Sequence, residues 1–220
     1  MTIIALVGNK GGAGKTTLTV NLACALNRVA PTAILDADPQ GSSLQWRAIA
    51  ESDETPAVFA SDRQLDAVLK TRRKQYDHLI IDCPPSVNAM QTNLALQVSE
   101  LALIPVQPSP LDLWATAHID HAIEQAKHSN PELRTLLVIN QLEPRTTLSR
   151  LVRQAIGELG LPAAETAIRR RAIYRAAVLE GKSVIDLGRR GAAAAEELNQ
   201  LTVSYTHLTL PTTIPSCRSR

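Results

Sequence analysis

Two lysines, Lys10 and Lys15, flank the run Gly11-Gly12-Ala13-Gly14, and Thr16 and Thr17 follow directly. An apolar stretch, Ile3 to Val7, leads into this segment, and a helical pattern from Leu18 to Leu26 leads out of it. Strand, glycine-rich turn and helix in that order suit the binding of a phosphate group. Glycines allow successive backbone N–H groups to converge, and the helix N-terminus adds partial positive charge. Gly11, Gly12, Ala13, Gly14, Lys15, Thr16 and Thr17 are therefore the candidate cradle. In it Lys15 reaches the β and γ phosphates and the Thr16 hydroxyl ligates Mg²⁺. The simple pattern G-x-x-x-x-G-K-[ST] fails at its first position, where Asn9 stands, and an additional lysine, Lys10, precedes the glycines. A glycine-rich helix cap with two solvated lysines is the plain alternative. Agreement at eight positions between a buried-type strand and a helix weighs against it.

Carboxylates recur where further strands end. Thr32 to Leu35 runs into Asp36-Ala37-Asp38-Pro39-Gln40, and His78 to Ile81 runs into Asp82-Cys83-Pro84-Pro85. Open α/β sheets hold their ligands at the carboxyl ends of strands, and Asp82 stands where an acid that holds Mg²⁺ through water is expected. Leu101 to Val106 and Thr135 to Ile139 read as two more strands. The second ends at Asn140, which serves equally well as a contact to an adenine ring or as a strand-ending turn residue.

The elements that must place these residues follow from periodicity and composition. Apolar residues make up 45% of the 220-residue chain and aromatic residues only 3%. A core of Ala, Leu, Ile and Val fits an α/β fold: a mostly parallel twisted sheet with helices on both faces. The expected single domain covers 1–201. Residues 42–77 read as mostly helical, Pro105 as a break in its strand, and Glu165 to Ile168 as a last strand. Leu148, Leu151, Val152, Ala155, Ile156 and Leu159 define the buried stripe of a late helix. Three cysteines without metal-ligand spacing suggest packing rather than a disulfide framework. No membrane span or leader is expected, which points to a cytoplasmic setting. Residues 202–220 lose periodicity and are rich in Thr, Ser and Pro, so they read as a non-native or disordered tail.

The net charge of +2 conceals a division along the chain. Residues 1–144 carry 11 Lys/Arg against 15 Asp/Glu, whereas residues 145–190 carry 10 against 4. Such late basic charge suits a polyanion. The candidates are Arg145, Arg150, Arg153, Arg169, Arg170, Arg171, Arg189 and Arg190, with a solvated basic face as the alternative.

Lys-Gly-Gly-x-Gly-Lys-Thr, taken with Asp-x-Asp-Pro-Gln and the Asp-Cys-Pro-Pro turn, resembles the deviant P-loop and two switch regions of the ParA/MinD family of ATPases. The proline-rich Gln107 to Trp114 passage is similar to the small ParF-like partition branch, and carboxysome-positioning members share the pattern. The resemblance covers roughly residues 1–190 and implies a P-loop NTPase fold of the SIMIBI type. Its implied cofactors are ATP and Mg²⁺. It makes Lys10 a cation donated in trans across an ATP-bound homodimer. Lys15 then acts in cis, Asp38 positions the attacking water, and Asp36 and Asp82 hold the water shell of the metal. It also implies nonspecific DNA as a partner, a nucleoid-associated location, and a ParB-like or McdB-like adaptor that stimulates turnover. Aligned on Gly181-Lys182-Ser183-Val184, Arg170 falls where some relatives carry a DNA-contacting arginine. A MinD-like membrane-associated ATPase and a metabolic or metal-delivery ATPase are the rival readings.

Overall fold

The structure is a computed structural model that describes residues 1–209 apart from 145 and 159; at 63, 110–118, 147–149, 153, 158 and 205–209 it describes the backbone alone. Six parallel strands form one sheet in the order β3-β2-β4-β1-β5-β6. They are β1 (Thr2–Leu6), β2 (Thr32–Asp36), β3 (Ala57–Ala60), β4 (His78–Asp82), β5 (Leu101–Val106) and β6 (Arg134–Ile139). The helices are α1 (Lys15–Asn27), α2 (Ser42–Ile49), α3 (Leu65–Arg72), α4 (Met90–Val98), α5 (Pro110–Ser129), α6 (Thr147–Glu158), α7 (Ala172–Leu179) and α8 (Ala192–Thr209).

Alternation along the strands divides the core into two layers. Ile3, Ala5, Val7, Leu35, Leu79 and Ile81 face one side, with Leu65, Leu96, Ile123 and Val152 from helices α3 to α6. Ile4, Leu6, Ile34 and Ile80 face the other, with Leu18, Leu22, Trp46, Tyr174 and Leu198 from α1, α2, α7 and α8. A strand buried on both faces reads as an unbroken apolar run, which is why β1 and β4 stand out in the sequence.

Four local expectations change. Residues 42–77 contain strand β3, paired with β2 from Ala33↔Ala57 to Asp36↔Ala60. It is a four-residue edge strand and only partly buried, too short for a clear periodic signal. Pro105 does not interrupt β5; it lies in register with Val138 of β6. Glu165 to Ile168 forms no strand, only isolated bridges Leu137↔Ala163 and Leu142↔Arg169 on either side of it. Leu151 is exposed, whereas Val152 and Ile156 are buried; the Leu148 side chain and Leu159 fall outside the described residues. At the C-terminus α8 runs to Thr209, and the rest of the segment expected as a tail, 210–220, lies outside the described residues. Thr202 and Ser204 hydroxyls bond the backbone carbonyls of Asn199 and Gln200 (2.6 and 3.0 Å), so these polar residues are accommodated in the helix.

The segment following α7 closes the α1 side. Trp46 is 2% exposed and its indole N–H donates to the Lys182 carbonyl (3.3 Å). Asn21 links α1 to the same segment, accepting from the Val184 N–H (2.9 Å) and donating to the Thr17 carbonyl (2.7 Å). Trp46→Ala is expected to destabilise the chain by about 3–5 kcal/mol, since it removes a large buried ring and leaves a cavity; the denaturant midpoint at constant m-value measures it.

Candidate nucleotide site

The site is assembled at the carboxyl ends of β1, β2 and β4. Strand pairing sets Leu6 opposite Asp82 and Asp36 opposite Asp82, so both carboxylates stand abreast beside the loop that leaves β1. Asp82 is fully buried and accepts from the hydroxyls of Ser43 (2.7 Å) and Thr19 (3.4 Å), and Thr16 bonds it as well. Asp36 accepts from the backbone N–H groups of Leu44 (3.0 Å) and Asp38 (3.2 Å). Burial pushes both carboxyls above their usual range, Asp82 to about 6. Asp38 is half-buried, and its carboxylate accepts from the Gln40 N–H (3.0 Å).

The loop from Gly8 to Gly14 curls with positive φ at Gly12 (80°) and Gly14 (92°). Gly14 is also the N-cap of α1, so the chain must take a left-handed conformation just where the helix dipole begins. Lys15 is 7% exposed. Its ammonium donates to the Lys10 carbonyl (3.2 Å), and desolvation lowers its pKa against the opposing pull of Asp82. The Lys10 side chain is exposed on the outer rim.

Three amide side chains brace this loop from β5 and β6. Asn140 Nδ2 donates to the Ala13 carbonyl (2.7 Å), while Gln107 Nε2 (2.6 Å) and Gln141 Nε2 (3.0 Å) both donate to the Gly12 carbonyl. Asn140 Oδ1 in turn accepts from the Gln141 N–H (2.9 Å). Gln141 is the one non-glycine residue with positive φ (57°) among the described residues, a conformation that costs about 1–2 kcal/mol. Sequence reasoning missed Gln107, Gln141 and Ser43. A glutamine within two residues of the end of each of two strands, Gln107 after β5 and Gln141 after β6, is the signal available for the two amides.

A cleft beside the cradle is lined by Gly14, Thr17, Asn140, Ile168, Tyr174 and the run Arg169-Arg170-Arg171. Three of the arginines proposed for a polyanion thus border the phosphate loop. Glu197 of α8 takes the Arg169 N–H (3.1 Å) and pairs with the Arg171 guanidinium (2.6 Å), and Arg170 pairs with Glu143 (2.7 Å). Arg190 pairs with Glu180 (3.0 Å). Arg150 and Arg189 are exposed. Arg153 lies within α6, and Arg145 falls outside the described residues.

The residues fit a magnesium–triphosphate group. A lysine is tucked under the loop, and a hydroxyl and two carboxyls raised by burial supply hard oxygen donors. Among the described residues no cluster of three His, Cys, Asp or Glu side chains could hold a metal alone. Phosphate oxygens and water would therefore complete the coordination, as Mg²⁺ prefers.

Parallel sheet, phosphate loop and paired strand-end carboxylates define a P-loop nucleotide-binding protein. The CobQ/CobB/MinD/ParA nucleotide binding domain family matches residues 4–184, and the chain belongs to that family. It is a ParA/MinD-type ATPase. It is 42% identical over 202 residues to the maintenance of carboxysome distribution protein A of Halothiobacillus neapolitanus, covering 90% of this chain and 93% of that one. Among solved structures, an ATP complex of a Cyanothece McdA variant superposes with a TM-score of 0.76 at 16% identity, covering 94% of this chain and 96% of that one. The MinD–Mg-ADP complex of Pyrococcus horikoshii superposes at 0.71 with 22% identity, covering 94% and 98%. These two likenesses concern the fold.

Proposed function

We propose that this chain is a positioning ATPase that pairs as a homodimer on binding ATP and holds nonspecific DNA in that state. In this reading it distributes a protein organelle of the carboxysome kind, with plasmid partition as the nearest variant. The observation that carries it is the 42% identity, over nine-tenths of the chain, to a carboxysome distribution protein. Lys10 is the cation given to the partner subunit, and its exposed place on the rim of the loop suits a group that must cross an interface. Lys15 stays with its own nucleotide, Thr16 binds the metal, and Asp36 and Asp82 hold the metal's water. Asp38 orients the attacking water, and Asn140 borders the base while bracing the loop. Charge spreading over the transferring phosphoryl group is met by preorganised cations, the main resource of such sites. Turnover awaits a ParB-like or McdB-like adaptor.

DNA binding draws first on Arg150 and Arg189, which are exposed, with Arg145 and Arg153 in the same basic stretch of sequence. Arg169, Arg170, Arg171 and Arg190 must exchange a carboxylate partner for a phosphate. Among the described residues no helix is long and apolar enough to cross a membrane. Retention of sheared DNA measured with ATP, ADP and no nucleotide tests the reading. Retention with ATP alone is expected, and equal retention in all three states overturns the switch. In the ATP state, Arg189→Ala is expected to reduce the slope of log K against log salt by about 1 for each phosphate it ceases to neutralise.

A further inference from the structure

We infer that Gln107 and Gln141 form an amide clamp that presets the phosphate loop, by fixing the Gly12 carbonyl and so aiming the Ala13 N–H for the nucleotide. A trans peptide carries its C=O and the following N–H on opposite sides of one plane. Two donors on the Gly12 carbonyl, at 2.6 and 3.0 Å, therefore hold the Ala13 N–H pointing away from both glutamines. Asn140 does the same for the next plane, holding the Ala13 carbonyl and so orienting the Gly14 N–H. Successive oriented N–H groups are what an anion-binding nest requires.

The positions of the two glutamines support a dedicated role. They lie 95 and 129 residues from Gly12 and follow different strands, so neither is a local turn bond. Gln141 adopts its left-handed φ of 57°, and a non-glycine held in that region marks a place where the surroundings fix the backbone. It borders both the cleft beside Thr17 and Tyr174 and a second cavity shared with Gln107, Ser109 and Arg170. The bracing amides thus link the base side of the site to the turn that carries Lys10. Without them the Gly12–Ala13 plane, flanked by glycines, is free to rotate, and binding must pay for its ordering.

The inference rests on the nucleotide site alone and not on DNA binding or cargo. Its test uses the full chain with Gln107→Met, Gln141→Met and the double variant, which keep bulk and remove the donor. Fluorescent mant-ADP binding and hydrogen exchange of the nucleotide-free chain are the readouts. Each single variant is expected to lose little, because the other glutamine still holds the carbonyl. The double variant is expected to bind mant-ADP about tenfold more weakly, with the loss falling on KM more than on kcat. Exchange in β1 and β4 is expected to stay unchanged, so that the loss is local to the loop. Affinity within twofold of the parent overturns the clamp, as does faster exchange spread evenly over the sheet. A parent chain that binds no mant-ADP would instead refute the nucleotide site itself.

Discussion

Lys10→Ala is expected to reduce ATP hydrolysis by about 10³-fold or more, the scale associated with a cation supplied in trans to a phosphoryl-transfer site. Binding of mant-ATP to the monomer should change only a few-fold. The side chain lies exposed on the rim, and the part of Lys10 that supports Lys15 is its backbone carbonyl, which alanine keeps. The decisive measurement is complementation. Lys10→Ala protomers retain Asp38, and Asp38→Ala protomers retain Lys10, so a mixed dimer contains one complete site if Lys10 crosses the interface. Recovery of hydrolysis on mixing the two inactive variants is expected. No recovery, or hydrolysis by Lys10→Ala at the parental rate, would place the lysine in cis or outside the reaction.

Gly14→Ala is expected to cost at least about 100-fold in nucleotide affinity while the chain still folds. Its effects act at one point. With φ at 92° the position disfavours any L side chain. A Cβ there would also run into the Asn140 amide, which is already committed to the Ala13 carbonyl. Relieving the collision must either push Asn140 off the loop or shift the first turn of α1, and each misaims the N–H groups that cradle phosphate. The stability cost, about 1 kcal/mol for an alanine forced to positive φ, is smaller than the binding loss. Gly157→Ala is the contrasting control, since a Cβ there meets nothing within 4 Å. Within helix α6 it is expected to stabilise by roughly 0.5–1 kcal/mol. Titrating mant-ATP and following urea unfolding for both variants separates the two effects. Affinity of Gly14→Ala within threefold of the parent would show that the cradle tolerates the shift.

The identity of the cradle and the strands β1, β2, β4, β5 and β6 could be read along the chain. Those signals are local: an unbroken apolar run for a strand buried on both faces, glycines where φ must be positive, and aspartates at strand ends. The edge strand β3 could not, because three half-buried residues and one exposed residue carry no periodicity of their own. The stripe on α6 was legible as helical, but whether Leu151 turned inward depended on where the helix docks.

The sequence by itself determined which residues can meet a phosphate and a metal, because their spacing lies within one strand–turn–helix unit or at the ends of recognisable strands. Only the tertiary structure decided that Asp36 and Asp82 stand abreast, since that follows from the register of β2 and β4. It alone set Gln107, Asn140 and Gln141 against the phosphate loop and gave Arg171 to Glu197. Those contacts join residues 26 to 129 positions apart. No local propensity encodes such pairings; they arise when strand order and helix docking bring distant parts of the chain together.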